Sequence, residues 1–191
     1  MDMRQIPNML GLFRVITTPV LVYLLLQNTG WTLFAGALVL LAMAISDIID
    51  GNLARRYGVV SNMGIFLDTI SDKIFVAGAL LPMVETGLVE SWYALVIITR
   101  EFAVSGLRSY AAAQGVVIPA RSWGKQKLTI TVTGLIWLMC FAAFPDLAWV
   151  PWWLLWLSQW WYIPYVLALF WTVGSGIEYF WNARDLLKKA L

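Results

Sequence analysis

Histidine is absent from this 191-residue chain, and cysteine occurs once, at Cys140. The first absence excludes a phosphohistidine intermediate, a Ser-His triad and a His-ligated zinc. The second excludes an intramolecular disulfide and leaves Cys140, set in an apolar run, to packing. Charge is scarce as well: 13% of residues are Asp, Glu, Lys or Arg, against about 25% in soluble domains. With 61% hydrophobic residues and a mean hydropathy of +0.75, the composition is that of an integral membrane protein. A dispersed net charge of +2 offers no footprint for nucleic acid. No composition shift or internal repeat marks a boundary, so residues 1–191 read as one domain. A polar lead runs straight into a long apolar segment without a small-residue cleavage site, which is not the pattern of a removable signal.

What the chain has in quantity is apolar runs. A bilayer span needs roughly 20 such residues, and six candidates fall at about 9–27, 31–51, 64–84, 91–113, 126–145 and 162–182. The connections near 28–30, 85–90 and 146–161 contain no Lys or Arg. Arg4 precedes the first run, Arg55 and Arg56 link the second to the third, Arg121 and Lys125 link the fourth to the fifth, and Arg184, Lys188 and Lys189 follow the last. Lys and Arg remain on the cytoplasmic side. The expected fold is therefore an all-α, polytopic bundle of six transmembrane helices with both termini cytoplasmic. Six tryptophans between Asp146 and Tyr162, at helix-like spacing, predict an amphipathic helix in the outer interface.

Four acids interrupt this apolar background: Asp47, Asp50, Asp68 and Asp72. On helices the first two are three residues apart and the last two four apart, so each pair shares a face. A short link with Arg55, Arg56 and Gly58 suits an antiparallel hairpin that brings both faces to one volume. Four uncompensated carboxylates would repel one another, and a divalent cation or two relieves that conflict. Oxygen-only ligands and the lack of histidine favour Mg²⁺ or Mn²⁺ over zinc. At about 1.5 Å per residue, Asp47 lies roughly 24 Å inward from the outer end of its helix, and Asp68 and Asp72 about 6 and 12 Å from the inner end of theirs. The site is expected at cytoplasmic-leaflet depth, open to lipid sideways and to cytosol below. Gly51, Ala54 and Gly64 add small residues. Alone they would signal tight helix packing; among the aspartates they suit close approach of a ligand. Arg55 offers a guanidinium to phosphate.

The stretch has the form D-x-x-D-G-x-x-A-R followed by G-x-x-x-D-x-x-x-D, filled by Asp47, Asp50, Gly51, Ala54, Arg55, Gly64, Asp68 and Asp72. In this it resembles the CDP-alcohol phosphotransferase family, integral membrane enzymes that transfer a phosphatidyl or similar group from a CDP-linked donor to an alcohol. The resemblance implies that Asp47, Asp50 and Asp68 bind metal, that Asp72 is the general base and also touches metal, and that a homodimer forms. It assigns Gly51, Ala54, Arg55 and Gly64 to the CDP-diacylglycerol donor. The opening Pro7-Asn8-Met9-Leu10-Gly11-Leu12-Phe13-Arg14 is similar to the family's P-N-x-L-T-x-x-R, with Gly11 replacing the usual Thr. Asn8 and Arg14 are expected near the donor phosphates, interfacial anchoring being the alternative.

The run Arg100-Glu101-Phe102-Ala103-Val104-Ser105-Gly106-Leu107-Arg108, with Gly124-Lys125-Gln126-Lys127-Leu128-Thr129 after it, resembles the bacterial phosphatidylglycerophosphate synthase branch. That implies sn-glycerol 3-phosphate as acceptor, held by Arg108, Lys125 and Lys127, in the bacterial cytoplasmic membrane. Arg100 and Glu101 read instead as a structural ion pair that pins helices. Other acceptors, as in phosphatidylinositol-phosphate or cardiolipin synthases, remain open. A divalent-cation transporter is the alternative from another class; against it, no acids continue a path outward.

Overall fold

The computed structural model describes the backbone of residues 6–57, 62–116 and 122–184, and the side chains of 11–49, 69–116 and 126–184. Among the described residues the chain is all helical. The elements are α1 (Ile6–Gln27), α2 (Gly30–Tyr57), α3 (Asn62–Glu85), α4 (Ser91–Ala113), α5 (Ser122–Ala143), α6 (Trp152–Ser158) and α7 (Tyr162–Asn182), with a single 3-10 turn at Phe144–Asp146. The six long helices coincide with the six apolar runs. α2 continues past Asp50 and Gly51 to Tyr57, and α5 begins at Ser122, ahead of its apolar run.

The long helices close into a ring. α1 packs on both α2 and α3, α2 on α5, α5 on α7, α7 on α4, and α4 on α3. Leu21, Leu25, Leu40, Met43, Phe75, Leu80, Leu135 and Met139 fill its apolar interior. Small residues set the closest approaches. A β-carbon on Gly78 of α3 would collide with Thr18 of α1, and one on Gly176 of α7 would come within 3.2 Å of Cγ of Arg100 on α4. At one end of the ring, Tyr93 (α4) and Tyr165 (α7) stack with centroids 3.9 Å apart. Tyr93 donates to the Tyr165 carbonyl at 3.1 Å, and Tyr165 donates to Glu90 at 2.5 Å. At the same end Asp146 accepts from the Gly30 amide at 3.2 Å, placing an acid at the start of α2 where the helix dipole favours it.

The polarity of the bundle is inverted relative to a water-soluble one. Arg14, Lys127, Ser46, Ser71, Thr131, Thr172 and Ser175 are buried, while Ile16, Leu95, Phe102, Phe170 and Ile177 each expose 60% or more of their surface. An apolar exterior of this extent is what lipid covers. Two segments, Gly30–Ile49 and Gln126–Asp146, are long and apolar enough to cross a membrane. The tryptophan-rich stretch differs from its expectation in extent: Pro151 starts a helix of only seven residues, and Trp149 precedes it, meeting Phe34 of α2 edge-on at 5.4 Å. Trp152, Trp153, Trp156 and Trp160 remain exposed.

Candidate active site

The first described cluster is built by three helices. Arg14 sits in the third turn of α1, fully buried, and its Nη1 contacts Oδ1 of Asp47 on α2 and Oδ1 of Asp72 on α3, the latter at 2.5 Å. Both carboxylate oxygens therefore touch one nitrogen. The local cause is the Thr18–Gly78 contact, which draws α1 onto α3 one turn further along; Thr18 also donates to the Arg14 carbonyl at 2.7 Å. The two carboxylates keep 20% and 33% of their side-chain surface, so the cluster is open on the acid side and closed on the arginine side. Beside Asp47 lies an apolar cleft of ≈ 130 Å³ between α2, α3 and α5, lined by Ala44, Ile45, Ile48, Phe75, Val132 and Ile136 among others.

A second cluster joins α4, α5 and α7. Lys127, 4% exposed, pairs with Oε1 of Glu101, and the same oxygen lies 3.4 Å from Arg100. Arg100 reaches across to donate to Ser175 at 3.0 Å, lying in the groove that Gly176 leaves open. The expected Arg100–Glu101 pair is present, but both residues stand on α4. Helices are pinned instead by Glu101–Lys127 and Arg100–Ser175, and sequence spacing gave no sign of either partner. Lys127 is thus a buried ion-pair partner of Glu101, not a free cytosolic cation. It is also close enough to Asp72 for the two charges to interact, which connects the clusters. Nearer the end of α4, the exposed Arg108 places its guanidinium 5.8 Å over the ring of Tyr179. Lys73 turns back to donate to the Thr69 carbonyl at 2.8 Å.

Of the residues expected at the site, the structure brings Asp47 and Asp72 together and seats Arg108 and Lys127 on α4 and α5. The side chains of Asn8, Asp50, Gly51, Ala54, Arg55, Gly64, Asp68 and Lys125 lie outside the described residues. Among the described residues, no three of His, Cys, Asp and Glu converge. Arg14 was expected at phosphate; its carboxylate partners were not foreseen. The available signal was an arginine in the middle of an apolar span, which demands a counter-charge.

The family model described as CDP-alcohol phosphatidyltransferase matches residues 4–169, from before α1 into the first part of α7. The chain belongs to that family. Its similarity to individual members extends to nearly full length. A protein of Bacillus subtilis (strain 168) named CDP-diacylglycerol–glycerol-3-phosphate 3-phosphatidyltransferase is 33% identical over 97% of this chain and 98% of its own. Proteins with the same name from Escherichia coli (strain K12) and Mycoplasma pneumoniae are 38% and 31% identical. They cover 71% and 72% of this chain, and 76% and 68% of their own lengths.

Proposed function

We propose that the chain transfers the phosphatidyl group of CDP-diacylglycerol to sn-glycerol 3-phosphate, giving phosphatidylglycerophosphate and CMP. The observation that carries this is the meeting of Asp47 and Asp72 on one cationic nitrogen, in a chain similar over its whole length to a relative of that name. A point where two helices aim carboxylate oxygens at a single positive charge is also a point that suits a divalent cation. Asp47, Asp50, Asp68 and Asp72 would hold Mg²⁺ or Mn²⁺, two ions in the arrangement that steadies both attacking and leaving oxygens. Asp72 takes the proton of the acceptor hydroxyl. Asn8, Gly51, Ala54, Arg55 and Gly64 line the nucleotide and diphosphate, while the cleft beside Asp47 accepts the donor's apolar chains. Arg108, Lys125 and Lys127 would bind the acceptor phosphate, Lys127 sharing its charge with Glu101.

Neutralising Arg108 to Gln tests the acceptor assignment. We expect KM for glycerol 3-phosphate to rise with little change in KM for CDP-diacylglycerol, and kcat/KM to fall roughly ten- to a hundredfold. Arg55→Gln should act mainly on the lipid donor. A wild-type protein that releases CMP faster with inositol phosphate or phosphatidylglycerol than with glycerol 3-phosphate would reassign the acceptor.

We read all six long helices as spans of a single-domain, homodimeric protein of the bacterial cytoplasmic membrane, both termini and the site facing the cytoplasm. The connections free of Lys and Arg support this orientation, as does the apolar exterior. With Cys140 replaced by Ala, a cysteine at Glu85 should react with impermeant maleimide in intact cells. One at Arg184 should react only after the inner face is exposed. Labelling of both from outside would leave an even number of spans between them, where the proposed topology has three.

A further inference from the structure

The ring of Tyr179 lies under the Arg108 guanidinium. This tyrosine lies in the last turn of α7, is 8% exposed, and packs with Val104, Leu107 and Ala183. Its hydroxyl is buried and has no hydrogen-bond partner among the described residues. An orphaned buried hydroxyl is destabilising, and a well-packed helix seam does not retain one without cause. The cause is visible in its neighbours. Arg108 covers the ring, and Arg100, whose Nε is likewise buried and unpartnered, lies one groove away beside Gly176. Arg108, Arg100 and Lys127 bring three positive charges to this end of α4, α5 and α7, where Glu101 is shared between Arg100 and Lys127 and Arg108 lies over the Tyr179 ring. Glu178 precedes Tyr179 by one residue, about 100° around the helix. An excess of cations around an unused hydroxyl donor is the composition of a phosphate seat.

We propose that the Tyr179 hydroxyl binds the phosphate of the acceptor, donating a hydrogen bond to one of its oxygens while Arg108 takes the others. The inference rests on the reading of glycerol 3-phosphate as acceptor and adds α7 to the helices that select it. Arg108 is the exposed member, so the phosphate arrives along its guanidinium and meets the phenol beneath. The ring is held by its apolar neighbours, which leaves the hydroxyl in a fixed place.

The test is Tyr179→Phe, which keeps the ring and removes only the donor. KM for glycerol 3-phosphate should rise about tenfold, with KM for CDP-diacylglycerol unchanged. Thermal stability in detergent should be equal to wild type or higher, because an unpaired buried hydroxyl has been deleted. A structural hydroxyl would show the reverse: lower stability and unaltered acceptor KM. That result, with a wild type active on glycerol 3-phosphate, would overturn this inference alone. A wild type that releases no CMP with glycerol 3-phosphate would overturn the acceptor reading and this inference with it.

Discussion

Asp72→Asn is expected to release CMP about 10²- to 10⁴-fold more slowly than the wild type, the range lost when a positioned general base is removed. Asn has nearly the volume of Asp and can still accept a hydrogen bond from Arg14, so the fold around α1 and α3 should survive. Asp47→Asn should be at least as damaging to turnover, for a different reason: it removes a ligand charge. The two separate in metal binding. Manganese titrated into Asp47→Asn should bind more weakly than into wild type, whereas Asp72→Asn should retain more of its affinity. Circular dichroism and thermal unfolding establish that both variants are folded. Near-normal rates in both would end the assignment of these acids to chemistry, because their convergence on Arg14 would then be structural only.

The second large effect belongs to Arg14. With Arg14→Gln, Asp47 and Asp72 lose the guanidinium that faces both of them. Removing one member of a buried ion pair costs about 3–5 kcal/mol, and the partial exposure of the carboxylates puts this case at the lower end. The loss should be largest in the absence of divalent metal. Adding Mg²⁺ should narrow the gap to wild type, since the cation restores charge balance between the same two carboxylates. Arg14→Lys retains the charge without the fork and should fall between the two. Thermal unfolding in detergent, with and without Mg²⁺, gives the comparison. Equal stability of Arg14→Gln and wild type in metal-free buffer would show that the acids need no counter-charge from α1.

Much of this architecture was legible in the sequence because lipid imposes a simple rule on it. An apolar run that avoids water must satisfy its own backbone, so the six runs of hydropathy became six helices with nearly the same limits. The ends diverged for one reason. Helical hydrogen bonding continues where hydropathy falls, so α2 passes through Asp50 and Gly51, and α5 starts before its basic first turn gives way to apolar residues. The tryptophan stretch was half legible: its exposure followed from its amphipathic composition, but Pro151 confined the helix to Trp152–Ser158. Pairings between helices were not legible. That Arg14 would meet Asp47 and Asp72, or that Lys127 would meet Glu101, depends on how α1 lies across α2 and α3 and how α4 meets α5. Those placements are set by contacts such as Gly78 with Thr18, which no spacing along one helix reveals.

The closed ring has a consequence for biosynthesis. Helices emerge from the ribosome in order, and early segments can pack while later ones are still being made. α1 packs principally on α2 and α3, so the meeting of Arg14 with Asp47 and Asp72 can form once α3 has been made through Glu85. α4 must wait longer. It packs more extensively on α7 than on α3, and α7 is the last of the described helices to arrive. A ribosome stalled before Tyr162 would therefore leave a chain that owns Arg14, Asp47 and Asp72 but lacks the wall against which Arg100 and Arg108 are seated. Such a nascent chain would hold the first cluster and yet lack the second, whose assembly waits on α7.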